Sequence, residues 1–415
     1  MWELISANKR KSAVITIIMF GFMLGLGYLI GFMFDQKVGG YYGMMAAATI
    51  WFIQLAVAIS SGGKVFLAGS GAIEIGKEDY PQLYNVVEEM VVASSLPAMP
   101  KIYVIPREDM NAFATGTKPE NACVAVTSGL LKRLNRDELQ GVIAHEVSHI
   151  LNRDVMYMTY AAIMLGTIVA LAMALRLISR FGMFTGGGRS RSRSSNDGGG
   201  AVILLVMLVG FLVSLLAPFF AQLLYFAISR KREYLADASA ARLTRYPEGL
   251  ASALEKISLG TGHEVEVNKV MEPMYIYNPS EARAFSALGS THPKTEDRIR
   301  VLRNMSHGAS YKDYQSSYNT VMGKKKSIIP GSELKDDSVP LRSGASFEPQ
   351  AKSPKQQKID ARQVGDMILL ANSFRFINCG CGVRLKVPPN YTKETLKCPK
   401  CGTMHHTSQV AEKKE

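Results

Sequence analysis

The chain has 415 residues, 47% of them hydrophobic, and carries a formal net charge of +13 at pH 7. Basic residues beside apolar segments are attracted to anionic lipid, whereas a soluble nucleic-acid-binding protein has no need of long apolar segments. Composition and charge therefore favour a membrane protein over a soluble nucleic-acid binder, and they say nothing about a substrate.

Four stretches of the chain contain no charged residue, and they cover residues 13–34, 41–59, 155–175 and 201–228. Each is close to or longer than the roughly 20 apolar residues that cross the hydrocarbon core of a bilayer. A signal peptide is the alternative for the first, but its apolar run is too long and lacks a clear small-residue cleavage site. The second contains Gln54 and many alanines, so a buried helix of a soluble domain remains the alternative. We predict that all four are membrane segments.

Two short strands and a helix are predicted between the second and third apolar segments. The strands cover residues 101–106 and 122–127, and the helix begins after Asn135. Asn135 and Glu138 have the spacing of a capping box, in which each side chain binds the backbone of the other residue. The hydrophobic residues that follow at helical spacing are Leu139, Val142, Ile143, Val147, Ile150 and Leu151.

This predicted helix carries the motif His-Glu-x-x-His, formed by His145, Glu146 and His149. The two histidines lie one helical turn apart, so both imidazoles can bind one zinc ion at about 2.0–2.1 Å. Glu146 lies beside them, where its carboxylate can accept a proton from a water molecule that attacks a carbonyl group. The motif predicts a zinc metallopeptidase, and the alternative is a solvated histidine pair on an amphipathic helix.

A catalytic zinc site normally has three protein ligands and one open position, so this motif requires a further ligand. The best candidate is Glu233, in a segment from Ser229 to Asp237 that is a predicted helix with Glu233 and Asp237 on one face. Asp237 can then orient a ligating histidine through a hydrogen bond. The alternative for both acidic residues is a surface ion pair in a basic helix.

Three motifs of the chain resemble the HtpX family of integral-membrane zinc metalloproteases. They run from His145 to Asp154, from Arg232 to Asp237 and from Ser290 to Arg298, in the order that the family shows. The resemblance extends from the N-terminus to the end of the third motif region. The tail of the chain is outside the family core.

The resemblance implies that His145, His149 and Glu233 bind zinc and that Glu146 is the catalytic base. It also implies a zincin-type, gluzincin-like domain in the cytoplasmic (inner) membrane. The biological role that it implies is the quality control of membrane proteins under stress. Neither composition nor spacing indicates this biological role.

One further region matches the family. A protease that holds an extended peptide needs an exposed strand edge, so Asn111, Ala112 and Phe113 are predicted to bind substrate, while the alternative is that Phe113 fills the core. Within the third motif, the resemblance implies that Arg298 approaches the site and stabilises the charge that develops on the attacked carbonyl. Pro293 is equally explained as a residue of the first helical turn, and we leave Pro293 and Arg298 out of the predicted catalytic set.

Zinc binding by both His149 and Glu233 requires the third and fourth apolar segments to form a membrane hairpin. Basic residues 9–11 predict a cytoplasmic N-terminus, and two crossings then return the chain to the cytoplasm. The protease domain and the tail are therefore predicted to face the cytoplasm. The loop inside the hairpin argues the other way, since it carries Arg176, Arg180, Arg189, Arg191 and Arg193. Either the hairpin crosses the membrane in spite of these arginines, or it does not fully span the bilayer.

The C-terminal part of the chain has a different composition. Residues 313–360 are rich in Lys, Ser, Pro, Asp and Gln, and residues 306–360 are predicted to be a flexible linker. Residues 361–415 contain two cysteine pairs with a strand-like segment between them, which predicts a zinc-ribbon-like domain with a structural zinc ion. The four cysteines are Cys379, Cys381, Cys398 and Cys401.

Alternatives remain for this tail. The first pair is one residue shorter than the usual Cys-x-x-Cys, and His405 and His406 are possible substitute ligands. A pair of disulfides is disfavoured by the predicted cytoplasmic placement, and Cys123 has no paired cysteine nearby in sequence. A tethered ribbon of this kind is expected to bind a protein partner and to recruit substrates.

Taken in order, the chain is predicted to be an α+β, mainly α, polytopic membrane protein. Residues 1–64 form a membrane region, residues 65–305 a metalloprotease domain interrupted by the hairpin, and the linker and ribbon follow. The predicted activity is zinc-dependent hydrolysis of peptide bonds in membrane or misfolded membrane-associated proteins. The expected partners are those substrates and the lipid bilayer, and nucleic acid is not expected. A prenyl-protein endopeptidase and a nonenzymatic zinc-binding membrane adaptor are the alternatives.

Overall fold

The structure is a computed structural model of the chain. It describes residues 2–61, 63–156, 158–159, 230–260, 274–277, 293–323, 327–334, 339–342, 354–371, 374–391 and 393–407. The predicted membrane segment 201–228 lies outside these residues, as does most of the segment 155–175. The predicted arginine-rich loop between them also lies outside the described residues.

The chain begins with a helical hairpin made of α1 (Trp2–Phe34) and α2 (Gly39–Ser61). The turn between them is held by Asp35, whose Oδ1 accepts hydrogen bonds from the backbone N–H groups of Lys37 and Val38 at 2.7 and 3.2 Å. Both helices expose large apolar side chains, as a lipid-facing surface does. Within the described part of the chain, one window, Gly39–Val57, is long and apolar enough to cross a membrane, and the apolar stretch of α1, Thr16–Phe32, is shorter.

Glycine lines the contact between α1 and α2. Gly27 and Gly31 of α1 face Gly43 and Gly39 of α2, and a Cβ atom added to Gly31 would overlap the carbonyl group of Gly39. Small residues four positions apart allow two membrane helices to approach closely enough for backbone packing. This spacing was available in the sequence as a signal for the hairpin.

We expect Gly31→Leu to separate the two helices and to destabilise the protein by about 1–3 kcal/mol, because an overpacked contact forces a backbone shift. The measurement is the unfolding temperature of the purified protein in detergent. Gly21→Leu is the matched control, because no atom lies within 4 Å of a Cβ added there. Equal unfolding temperatures for the two variants would contradict the close glycine contact.

A four-stranded sheet forms the start of the next domain. Its strands are β1 (Ile73–Ile75), β2 (Lys101–Ile105), β3 (Ala112–Thr115) and β4 (Cys123–Thr127), in the spatial order β1-β2-β4-β3. Strands β2 and β4 are parallel, and the other two pairs are antiparallel. The strands predicted over residues 101–106 and 122–127 are present within one residue, and β3 lies at an edge of the sheet.

Helices pack around this sheet and enclose one main hydrophobic core. They are α3 (Lys64–Gly69), α4 (Pro81–Ser94), α5 (Ser128–Arg133), α6 (Arg136–Leu151), α7 (Arg230–Thr244), α8 (Pro247–Leu259) and α9 (Thr295–Arg303). Helix α6 lies in the middle of this layer, in contact with α4, α7, α8 and β3. Nearly all of its side chains are therefore buried, which fixes the position of anything that the helix carries.

The start of α6 is held by the capping box that the sequence predicts. Asn135 Oδ1 accepts from the backbone N–H of Glu138 at 2.9 Å, and Glu138 Oε2 accepts from that of Asn135 at 2.8 Å. The Glu138 carboxylate also accepts from Ser252 Oγ at 2.7 Å and lies 2.8 Å from Lys256 Nζ, both on α8. This buried carboxylate thus joins the beginning of α6 to the neighbouring helix.

The predicted linker contains a folded helix, so the prediction of a flexible segment is wrong there. Helix α10 (Tyr311–Met322) begins at Ser310, whose hydroxyl accepts from the backbone N–H of Asp313 at 3.1 Å. Tyr314 is fully buried, and Tyr318 packs edge-on against Tyr234 of α7, with ring centroids 4.9 Å apart. Tyrosines at helical spacing supply an apolar face that the polar composition of this segment concealed.

The C-terminal tail packs on the protease domain. Helix α11 (Pro354–Ala371) contacts α5, and its Val364 is fully buried in the main core. Two antiparallel hairpins follow, made of β5 (Arg375–Asn378), β6 (Arg384–Val387), β7 (Thr395–Lys397) and β8 (Met404–His406). Lys386 of β6 lies 2.6 Å from Asp366 of α11. The tail is thus docked through α11, which differs from the tethered domain that we predicted.

Candidate metal centre

Helices α6 and α7 bring together the three side chains that the sequence predicts to bind zinc. Glu233 Oε2 lies 3.6 Å from His145 Nε2, and Glu233 Oε1 lies 3.6 Å from His149 Nε2. The two Nε2 atoms are 3.2 Å apart, and all three side chains are buried. Donor atoms of the three residues lie within 4.8 Å of one another, which is close enough for one ion.

The other ring nitrogen of each histidine faces a buried carboxylate. His145 Nδ1 lies 2.9 Å from Asp237 Oδ1, and His149 Nδ1 lies 3.2 Å from Asp154 Oδ2. In the neutral form of each ring, a hydrogen bond from Nδ1–H to the carboxylate leaves the lone pair on Nε2, where it can bind a metal ion. Two such donors beside a glutamate carboxylate fit a zinc ion. A contact between a histidine and Asp237 was expected from the sequence, and a contact between His149 and Asp154 was not.

Arg298 of α9 holds the carboxylate that faces His145. Its Nε and Nη2 donate to the two carboxylate oxygens of Asp237 at 2.8 and 2.7 Å, and its side chain is only 1% exposed. Burial alone would raise the pKa of Asp237, but the charge and hydrogen bonds of Arg298 outweigh burial and keep that pKa below its usual value. Arg298 therefore keeps Asp237 ionised and oriented. Pro293 lies just before α9.

Glu146 lies on α6 and is buried, and α6 packs against the edge strand β3. Burial raises its pKa, while the neighbouring His145 and His149 act in the opposite direction. A carboxylate whose pKa lies above the usual value is a stronger base than a solvated one. Glu146 is therefore a buried carboxylate with a raised pKa on the helix that carries both histidines.

The predicted substrate edge is covered at Ala112, so the expectation of a fully exposed strand is wrong there. The backbone N–H of Ile276 donates to Ala112 O at 3.0 Å, and Asn111 Nδ2 donates to Tyr277 O at 2.9 Å. Phe113 is fully buried, with its ring centroid 5.4 Å from that of Tyr275. Phe113 thus fills the core, which was the alternative interpretation. The covering segment lies far along the chain, where local sequence patterns do not reveal a contact.

The four cysteines of the tail form a second cluster between the two hairpins. Cys379 Sγ lies 3.3 Å from Cys401 Sγ, and Cys381 Sγ lies 3.6 Å from Cys398 Sγ. All four sulfur atoms lie within 4.8 Å of one another. Hydrogen bonds from Thr403 are the main cause that lowers the pKa of Cys401 to about 6. Cys123 lies apart from the cluster, buried in β4.

Comparison with known proteins identifies the family. The sequence profile of Peptidase family M48 matches residues 77–306. The chain belongs to peptidase family M48. It is 44% identical over 304 residues to a protein named Protease HtpX homolog from Dictyoglomus turgidum, which covers 73% of this chain and 94% of that protein. A Protease HtpX homolog from Streptococcus uberis is 40% identical over 308 residues, covering 74% of this chain and all of that protein.

These relatives confirm the HtpX resemblance. Together with the group formed by His145, His149 and Glu233, they identify this M48 peptidase as a membrane zinc metalloprotease. The prenyl-protein endopeptidase and the nonenzymatic adaptor are not favoured. The crystal structure of Ste24p from S. mikatae is also similar, with 19% sequence identity and a TM-score of 0.39, over 73% of this chain and 67% of that chain. A likeness of that size is too low to support an argument.

Proposed function

We propose that His145, His149 and Glu233 hold the catalytic zinc ion and that Glu146 is the general base. The observation that carries this proposal is the convergence of the three donor groups from α6 and α7, with both Nδ1 atoms already bonded to carboxylates. A zinc ion held there supplies Lewis-acid polarisation of the scissile carbonyl and of water. Glu146 accepts the proton of the attacking water and returns it to the leaving amine.

The position of the site supports substrates that lie in or at a membrane. Thr115, at the end of β3, hydrogen-bonds Thr159 within the third apolar segment, with 3.2 Å between the hydroxyl oxygens. The side chain of Asn121 donates to Ile59 O at the end of α2 at 3.4 Å. The end of the sheet that carries Thr115 therefore adjoins two predicted membrane segments. The sheet that packs against α6 therefore lies beside these predicted membrane segments, which supports substrates that emerge from the bilayer.

We further propose that the protease domain and the tail face the cytoplasm and that the chain acts in quality control of membrane proteins. Basic residues 9–11 before the apolar part of α1 support this orientation. The third and fourth apolar segments form a membrane hairpin in this proposal, because His149 precedes them and Glu233 follows them. The assignment of four chain regions with boundaries near residues 64, 305 and 360 remains part of the proposal, apart from the helix α10.

The activity is tested with the full chain reconstituted into vesicles together with an unfolded membrane protein. Metal-free protein should be inactive, added zinc should restore cleavage, and a folded soluble protein should remain intact. A farnesylated peptide and its unmodified form serve as the comparison for prenyl-dependent cleavage. Cleavage of the farnesylated peptide alone, with the unfolded membrane protein intact, would contradict the proposed substrate class.

Zinc affinity should rise by about tenfold per pH unit as the pH increases from 6.5 to 9. Burial lowers the pKa of metal-free His145, but hydrogen bonds to Asp237 and Glu233 outweigh burial and raise it from 6.5 to about 9. A proton therefore competes with zinc for His145 throughout this range. The raised pKa of His145 also stabilises the folded, metal-free protein below pH 6.5, and this stabilisation is lost as the pH rises to about 9. Chelator competition at several pH values measures the affinity, and a constant affinity would contradict this account.

The cysteine cluster of the tail is proposed to hold a structural zinc ion, supported by its four closely spaced sulfur atoms. Its proposed role is to bind a protein partner or to recruit substrates, from a tail that is docked on the protease domain through the contact of α11 with α5. Cys398→Ser should remove one of two zinc ions per chain, and Cys123→Ser is the matched control because Cys123 is buried elsewhere. Two zinc ions in both variants would exclude the cluster as a metal site.

A further inference from the structure

Asp154 and Arg232 form a buried ion pair that reaches His149. Asp154 Oδ2 lies 3.2 Å from His149 Nδ1, and Asp154 Oδ1 lies 3.7 Å from Arg232 Nη1. The Asp154 side chain is 1% exposed, and that of Arg232 is 9% exposed. A buried carboxylate without a nearby cation is costly, so the arginine stabilises the charge that contacts the imidazole.

The backbone before Asp154 has an unusual conformation that makes this contact possible. Helix α6 ends at Leu151, and Arg153 has a φ of 62°, in the left-handed region that residues other than glycine rarely adopt. This reversal turns the chain so that Asp154 faces back toward His149, one turn earlier in the helix. A conformation that is unfavourable locally persists because surrounding contacts hold it, and such residues concentrate at functional sites.

The two members of the pair lie at the two ends of the predicted membrane hairpin. Asp154 directly precedes the apolar segment 155–175, and Arg232 follows the segment 201–228. Their ion pair joins the end of α6 to the beginning of α7, the same two helices that carry the three proposed zinc ligands. Unlike the zinc ion, this link consists of protein side chains alone.

We propose that Asp154 is a positioning residue for His149 and that Arg232 holds it in place across the base of the hairpin. The inference rests on the proposed role of His149 as a zinc ligand. Each histidine is then held by a carboxylate, which is in turn held by an arginine. We call each such set of three side chains an arm: one consists of His145, Asp237 and Arg298, and the other of His149, Asp154 and Arg232. In each arm the carboxylate selects the tautomer whose Nε2 is available to the metal and fixes the plane of the ring.

The two arms differ in the distance between arginine and carboxylate. Arg298 makes two hydrogen bonds shorter than 3 Å to Asp237, whereas the ion pair of Arg232 with Asp154 has a distance of 3.7 Å.

The test measures zinc affinity in the full-length Glu146→Gln protein in detergent, so that the result does not depend on activity. Asp154→Asn should weaken zinc binding by about 10- to 100-fold at the site that His149→Ala removes, as loss of such an orienting carboxylate typically does. The visible absorption of the cobalt-substituted protein should change with it, because the geometry at His149 changes. Glu108→Gln is the matched control, since Glu108 pairs with Lys132 at an exposed position.

Unchanged zinc affinity and an unchanged cobalt spectrum in Asp154→Asn, with only a lower unfolding temperature, would overturn the inference and leave Asp154 with a purely structural role. If Asp154→Asn does not fold, Arg232→Gln provides the second variant, because it leaves the Asp154 carboxylate against His149. A severalfold loss of zinc affinity in Arg232→Gln supports the inference, and no loss overturns it. Retention of zinc by His149→Ala would instead overturn the proposed ligand set, and with it this inference.

Discussion

Replacing Glu146 with glutamine is expected to lower the rate of peptide hydrolysis by a factor of about 10²–10⁴, which is the range for loss of a general base. Glutamine has nearly the same shape, but its amide cannot accept the proton of the attacking water. Zinc should remain bound, because Glu146 is outside the group formed by His145, His149 and Glu233. The measurement is the rate of cleavage of an unfolded membrane protein in vesicles, with the zinc content determined on the same samples.

Glu120→Gln is the control for this prediction, because Glu120 is exposed in the short 3-10 helix Pro119–Asn121 and lies outside the described metal-binding groups. It should cleave at the wild-type rate. Equal rates for Glu146→Gln and wild type, with zinc present in both, would contradict proton transfer by Glu146. Loss of zinc in Glu146→Gln would show instead that the side chain takes part in metal binding.

Replacing Arg298 with leucine is expected to destabilise the protein by about 3–5 kcal/mol, because Asp237 would remain as a fully buried carboxylate without its counter-charge. Zinc affinity should fall as well, since Asp237 orients His145. Chemical unfolding of the full chain in detergent measures the first effect, and chelator competition measures the second. Arg300→Leu on the same helix is the control, because its side chain is 63% exposed and its ion pair contributes little.

A double variant separates the two roles of Arg298. Replacing both Arg298 and Asp237 with leucine removes the buried charges together, which typically restores stability. Zinc affinity should stay low in this double variant, because no carboxylate orients His145. Recovery of both stability and zinc affinity would contradict a role for Asp237 in positioning the imidazole.

Features that depend on adjacent residues could be predicted from the sequence. The capping box of Asn135 and Glu138 forms as expected, since both partners lie within one helical turn. The spacing of His145 and His149 on α6 is likewise a local property, and the group that they form with Glu233 is present. The spacing of the four cysteines also indicated a common site, and their sulfur atoms do come together.

Features that depend on distant residues or unusual backbone could not be predicted in this way. Asp154 lies five positions after His149, which a continuous helix would place on a different face, and only the left-handed backbone at Arg153 brings it back. The covering of Ala112 by Ile276 and the burial of Arg298 against Asp237 join segments that no local pattern relates. The sequence motif that contains Asp154 could be identified, but the contact of Asp154 with His149 could not be predicted from it.

Composition alone led to the wrong prediction for the helical part of the linker. Serine and lysine are the most frequent residues of the linker, but a helix needs only one apolar face to pack against a core. Tyr311, Tyr314 and Tyr318 occupy that face in α10, and Ser310 begins the helix with a capping box. A search for helical spacing of tyrosines would have found this helix.

Residues on both sides of the predicted membrane hairpin are proposed to bind one zinc ion. Chelator competition tests this in three proteins: the full chain, Glu233→Ala and His149→Ala, each carrying Cys398→Ser to remove the proposed tail site. We expect one tightly bound zinc ion in the reference protein and strong loss of affinity in both single-ligand variants, since their donor atoms converge on one position. Tight zinc binding by Glu233→Ala, with loss in His149→Ala alone, would contradict a site shared across the hairpin.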